Sequence, residues 1–194
     1  MAAFDQQLFQ LINQQWIHPL LDSFFVTITS KDFWTAPAVA AIIYLLFFNA
    51  KRGRIVFVLL LLTVSFTDSI AYKVIKPGIK RYRPCHALEN TRVLEKCGGK
   101  WSMPSNHAAN FFAAATILGL FYRRGRLTFF TVAVLSGAYS RIYVGKHYPG
   151  DVLAGALFGM AAAFLFYYFW VMIRVRLEKQ NKYSLSLTVP KIID

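Results

Sequence analysis

An all-α, polytopic membrane helix bundle is the fold class this sequence predicts, on three observations. The 194 residues are 56% hydrophobic. Several apolar stretches approach the roughly 20 residues that cross a bilayer core. The 22 Lys and Arg fall in short bursts between those stretches rather than along one polar face. Backbone groups in lipid must be satisfied within the segment, so the stretches are helices, and residues 1–194 read as a single membrane domain. A net charge of +13 is compatible with nucleic acid, but the scatter of the basic residues argues against it and favours membrane boundaries and anionic headgroups.

The first fifteen residues have no basic leader region and are interrupted by Asp5, Gln6, Gln7 and Gln10, so a cleaved signal peptide is not expected. Phe4, Leu8, Leu11 and Ile12 recur at helical spacing, which predicts an amphipathic helix over 1–15 lying in the interface. Leu20 to Ser30 is apolar but short and carries Asp22; it is the candidate sixth span, of open depth. Five firmer spans follow, at Phe33 to Asn49, Ile55 to Val74, Asn106 to Tyr122, Leu127 to Tyr143 and Gly150 to Ile173. Residues 174–194 form a basic tail, expected in the cytoplasm.

If successive spans alternate direction, the loops at 75–105 and 144–149 share one membrane face. Residues 50–54, 123–126 and the tail share the other. That second face carries Lys51, Arg52, Arg54, Arg123, Arg124, Arg126, Arg174, Arg176, Lys179 and Lys182, and it reads as cytoplasmic. The first face carries as many basic residues, yet several of them have a chemical reason to be there. It is expected to open to the periplasm or exterior of a bacterial inner membrane.

That first face gathers three clusters. Lys76 is followed by Arg83-Pro84; next comes Pro104-Ser105-Asn106-His107; then Ser140-Arg141 with His147 and Asp151. A phosphate ester needs fixed cations, and guanidinium forks that bond two oxygens at once suit it best, which fits Arg83 and Arg141. Lys76 adds a compact charge, and Pro84 pins the backbone after Arg83. Ser105 is placed to cap the helix that starts at Asn106, whose free N–H groups and dipole form an anion cradle. There Ser105 and Asn106 offer donors, and the His107 imidazole can carry a proton. Asp151, in the first turn after Pro149-Gly150, can accept the Nδ1 hydrogen of His147 and leave Nε2 free to attack phosphorus. A carboxylate entering a lipid-embedded helix is costly without a role, though Asp151 can also cap that helix.

The pattern Lys76-x6-Arg83-Pro84, Pro104-Ser105-x-His107, Ser140-Arg141-x5-His147-x3-Asp151 resembles the signature of the type 2 phosphatidic acid phosphatase superfamily, which also holds vanadium haloperoxidases. The motifs cover residues 76–151, and the span layout extends the likeness over most of the chain. The resemblance implies metal-independent, two-step hydrolysis of a lipid phosphate without a cofactor. His147 would be the nucleophile that forms a phosphohistidine, His107 the general acid, and Asp151 the residue that orients His147. Lys76, Arg83, Ser105, Asn106 and Arg141 would hold the phosphoryl oxygens. Where the family most often has Gly, this chain has Asn106; its backbone N–H can serve equally, and its side chain either crowds the pocket or adds a donor.

Asp68, inside the second span, either steadies a site cation or takes part in an internal hydrogen-bond network. Asn110 and Thr116 read as helix-packing groups, and Gly155 with Gly159 as an internal close contact. Cys85 and Cys97 either remain free thiols or close a loop worth roughly 3 kcal/mol. No carboxylate-rich or Cys-x-x-Cys cluster points to a metal. The partners implied are a lipid phosphate and the surrounding membrane lipids. The compact chain resembles short bacterial members that act on undecaprenyl diphosphate, which stands first. Lipid A 1-phosphate, phosphatidylglycerophosphate and phosphatidic acid stand beside it, because residues that read phosphate do not read tails. A phospholipid binder or transporter would need the cations but not the two histidines. The sequence does not fix the oligomeric state.

Overall fold

The computed structural model describes residues 2–188. The end of the basic tail, from 189 on, lies outside the described residues. Regular structure among them is helical, apart from one isolated antiparallel bridge between Tyr82 and Trp101. We number seven helices. Helix α1 is Ala2–Gln10, prolonged by a wider turn over Leu11–Gln15; α2 is Pro19–Thr29. Helix α3 is Lys31–Phe48 and α4 is Lys51–Ile79. Helix α5 is Asn106–Phe121, α6 covers 126–143, and α7 is Pro149–Thr188.

Polar side chains set the starts. His18 accepts the Leu20 N–H ahead of α2, Ser30 accepts the Phe33 N–H ahead of α3, and Ser105 accepts the Ala108 N–H ahead of α5. Such caps contribute about 1 kcal/mol each.

Three helices, α3, α4 and α7, are long and apolar enough to cross a membrane unaided, and the chain is an integral membrane protein. The five-span count is not established. Helix α5 is short, and α6 carries Arg126 and Arg141, with nothing buried in its first half and its last turn buried. Helix α5 is the centre of the bundle, with Ala108, Ala109, Ala113, Ala115, Ile117 and Phe121 buried. A helix walled by protein needs small residues rather than a long greasy surface. By contrast, the 31–43 stretch of α3 buries nothing and leaves Val39, Ile42 and Ile43 exposed, as a lipid-facing helix does.

Close approach fixes α7 against α5. A Cβ at Gly155 would stand 2.4 Å from the Ser105 carbonyl oxygen, and one at Gly159 would stand 2.1 Å from that of Ala109. The pair therefore serves packing within the bundle. Beside it, Asp68 accepts from Asn106 at 2.9 Å and from Asn110 at 3.1 Å, and Thr67 donates to Asn110 at 2.8 Å. Thr116 returns its hydroxyl to the Phe112 carbonyl. Asp68, Asn106, Asn110 and Thr67 thus form one polar network linking α4 to α5.

Helix α1 docks on the protein as well as facing outward. Phe9, Ile12 and Asn13 are buried while Phe4 is exposed. Asn13 donates to the Arg92 and Tyr143 carbonyls and accepts from the Arg92 N–H, which ties α1 to the 75–105 loop and to the end of α6.

Candidate active site

The loops at 75–105 and 144–149 meet at one end of the bundle. Gly145 turns the second loop with φ +84°, a conformation that favours glycine, and a Cβ there would collide with the Arg92 carbonyl oxygen at 2.4 Å. Leu94 N–H bonds the Val144 carbonyl, and Ser105 N–H bonds that of Asp151. The three sequence clusters are thereby brought to one mouth. A cavity of about 520 Å³ opens there, and Lys76, Arg83, Asn106, His107, Arg141 and His147 all line it.

His147 is almost fully buried. Its Nε2 lies 3.0 Å from Arg83 Nη1. A guanidinium can only donate, so Nε2 is the lone-pair nitrogen and the ring hydrogen sits on Nδ1. Burial first, then the charges of Arg83, Arg141 and Lys76, hold its pKa well below the ordinary histidine value, so the ring is neutral at neutral pH. Its Nδ1 stands 3.5 Å from Asp151 Oδ2 and has no hydrogen-bond partner among the described residues. Asp151, itself fully buried, stands beside the neutral ring without a formed hydrogen bond to it, and its Oδ2 accepts the Tyr148 N–H at 2.9 Å.

The cations divide by how they are held. Arg83 is anchored by Nε to the Gly99 carbonyl at 2.6 Å and by its backbone N–H to Lys100. Burial lowers its pKa and the Asp151 charge opposes that, which leaves it cationic. Arg141 donates to Thr29 Oγ1 and lies 3.7 Å from Glu95, while its buried Nε has no partner among the described residues. A buried orphan donor on a cavity-lining guanidinium suits an anion. Lys76 spends its donors on the Trp101, Ser102 and Pro104 carbonyls, at 3.3, 3.0 and 2.7 Å. It brings charge to the cavity while fixing the strand of chain that leads into α5.

Two residues, Ser105 and Asn106, sit differently from the sequence expectation. Ser105 is fully buried, uses its hydroxyl as the cap of α5 and is not among the cavity-lining residues. The Asn106 amide turns to the Asp68 carboxylate and carbonyl, so its side chain donates there; what it offers the cavity is the start of a helix. Asp68 joins Asn106 and Asn110 in that network, the second of the two roles expected of it. His107 lines the cavity with Nε2 3.4 Å from the Thr29 carbonyl.

Sequence reasoning missed Thr29, Glu95, Asp5 and Arg81, as well as Tyr72, Lys73, Lys100 and Trp101 on the cavity wall. Cys85 and Cys97 are joined as a disulfide that closes the loop after Arg83. With His86 they form the one cluster of metal-type donors among the described residues, but sulfurs bonded to each other are not thiolate ligands.

The family model described as the PAP2 superfamily matches residues 55–174, more than half of the chain. The chain belongs to the PAP2 superfamily. A lipid A 4'-phosphatase of Bacteroides thetaiotaomicron is 34% identical over 93% of this chain and 83% of its own length. An undecaprenyl-diphosphatase of Sulfolobus acidocaldarius is 32% identical over 84% of this chain and 77% of its own. Among solved structures, Aquifex aeolicus LpxE superposes with a TM-score of 0.67 at 30% identity, covering 84% of this chain and 94% of that one. The matched range contains Lys76, Arg83, Asn106, His107, Arg141 and His147, which line the cavity. With the family comes the class of enzyme, a hydrolase of lipid phosphates.

Proposed function

We propose that this PAP2 enzyme hydrolyses a lipid phosphate at the membrane face through a phosphohistidine on His147. The observation that carries the reading is the 3.0 Å contact of Arg83 with His147 Nε2, which leaves a neutral, lone-pair nitrogen beside a guanidinium able to grip the phosphoryl group. In the first step Nε2 bonds to phosphorus, the bond to the lipid oxygen breaks, and His107 protonates that oxygen. In the second, His107 takes a proton from water as the water oxygen bonds to phosphorus, the bond to Nε2 breaks, and inorganic phosphate leaves. Arg83, Arg141, Lys76 and the start of α5 hold the spread oxygen charge, and Asp151 stabilises the cationic ring. No step calls for a metal ion.

For substrate we infer a lipid A phosphate first, because the relative of that activity matches along nearly the whole chain. Undecaprenyl diphosphate, placed first from the sequence, becomes the second reading and is supported by the other relative. The site is read as opening to the periplasm or exterior: the disulfide lies at that end, where oxidising conditions keep it, and the arginine bursts lie at the other. Tags placed in the 75–105 loop and after α7 test that orientation by their accessibility in whole cells. The activity is tested by phosphate release from lipid A, undecaprenyl diphosphate, phosphatidylglycerophosphate and phosphatidic acid in detergent with chelator present. Native protein should turn over at least one of these, lipid A best, while His147→Ala loses ~10³-fold or more. Turnover that survives the substitution removes the nucleophile, and turnover abolished by chelator removes the metal-free mechanism.

A further inference from the structure

Arg81 lies close to the catalytic cluster without lining its cavity, and its fork is divided between two carboxylates. One amino group donates to Asp151 Oδ1 at 2.9 Å, and the other donates to Asp5 Oδ2 on α1. The second oxygen of Asp5 accepts the Gly150 N–H at 2.7 Å, at the first turn of the helix that bears Asp151. A Cβ at position 150 would stand 2.9 Å from Asp5 Oδ2, so glycine there is what admits the carboxylate. The guanidinium lies 4.2 Å from the centre of the Tyr148 ring, and Phe9 of α1 meets the same ring edge-on.

The charge balance gives this arrangement a purpose. When His147 Nε2 bonds to phosphorus, the ring becomes cationic, and Arg83, Arg141 and Lys76 around it all oppose that. Asp151 is the anion beside the ring that counters them. A guanidinium that gripped Asp151 with both arms would draw its charge away from the ring. Asp5 takes one arm of Arg81, leaving Asp151 Oδ2 directed at His147 Nδ1, 3.5 Å away.

We propose that Asp5 on the N-terminal helix is a positioning residue for phosphoryl transfer: through Arg81 and the Gly150 amide it sets Asp151 against His147 and preserves the charge that stabilises the phosphorylated ring. The proposal rests on His147 as the nucleophile. It makes α1 part of the catalytic apparatus rather than a passive membrane contact.

The test is rapid-quench labelling of the full-length protein in detergent with lipid A carrying radioactive phosphate, read as the rate and the amount of phosphoprotein. A merely structural residue changes how much enzyme labels, whereas a positioning residue changes how fast it labels. Asp5→Asn should label about tenfold more slowly, with amount and KM within twofold of native. Asp5→Ser should do the same, and Asp5→Glu should recover to within threefold. Phe9→Ala, which loosens the same helix without touching the charge, should lower the melting temperature and leave the rate unchanged. An unchanged rate in Asp5→Asn overturns the inference, as does an equal loss of rate in Phe9→Ala. Failure of both neutral variants to fold while Asp5→Glu folds overturns it too, because the charge then serves the fold. Native protein that takes no label, or His147→Ala that does, brings down the nucleophile reading and this one together; a silent Asp5→Asn beside an unlabelled His147→Ala brings down this one alone.

Discussion

The two ends of the bundle carry similar basic side chains in opposite conditions. At the cavity end Arg141 is 5% exposed and meets Thr29 and Glu95, which come from distant segments. At the other end the Arg174 side chain is 60% exposed and bonds Glu178 one turn away. Arg52 there lies over the Tyr122 ring at 4.7 Å, and Asn49 bonds the Tyr122 hydroxyl. Burial is what separates the two sets. A charge enclosed by protein must be met by partners fixed in advance, and such preorganised groups act strongly on another charge. A charge in the headgroup layer is screened and solvated, and its service is to orient the chain.

That contrast can be broken by substitution at each end. The largest effect is expected from Arg141→Lys, which keeps the charge but loses the planar fork; kcat for phosphate release should fall by about 10²–10³-fold. An activity within fivefold of native would mean that charge alone suffices at the cavity. Next comes Cys85→Ser, which opens the loop behind Arg83. It should lower stability by up to about 3 kcal/mol, seen as a drop in melting temperature in detergent that reducing agent reproduces on native protein and does not deepen in the variant. The smallest effect belongs to Arg174→Ala. Its exposed pair with Glu178 contributes well under ~1 kcal/mol, so melting temperature and turnover should both stay near native. A large loss of turnover there would show that the two ends are coupled.

The same division governs what could be read from the sequence. Lys76, Arg83, His107, Arg141, His147 and Asp151 were legible because each is a polar residue beside an apolar span, where its presence demands a reason. Helix type and order were legible for the same cause, since apolar runs of that length admit little else. Thr29, Asp5 and Glu95 were not, because each is ordinary in its own neighbourhood and gains meaning only from a partner far along the chain: Thr29 stands 112 residues from Arg141 and Asp5 stands 76 from Arg81. The direction of the Asn106 side chain, left open between crowding the cavity and donating into it, was illegible for the same reason: its amide turns to Asp68, 38 residues away. Three of the five expected spans, α3, α4 and α7, stand out by length and hydropathy alone; α5 is less legible that way because its neighbours bury much of it.

Gly155 and Gly159 leave no gap between α7 and the backbone of α5. Two helices seated so tightly travel as one rod. His107 at the head of one and Asp151 at the head of the other are then carried as fixed points of a single frame.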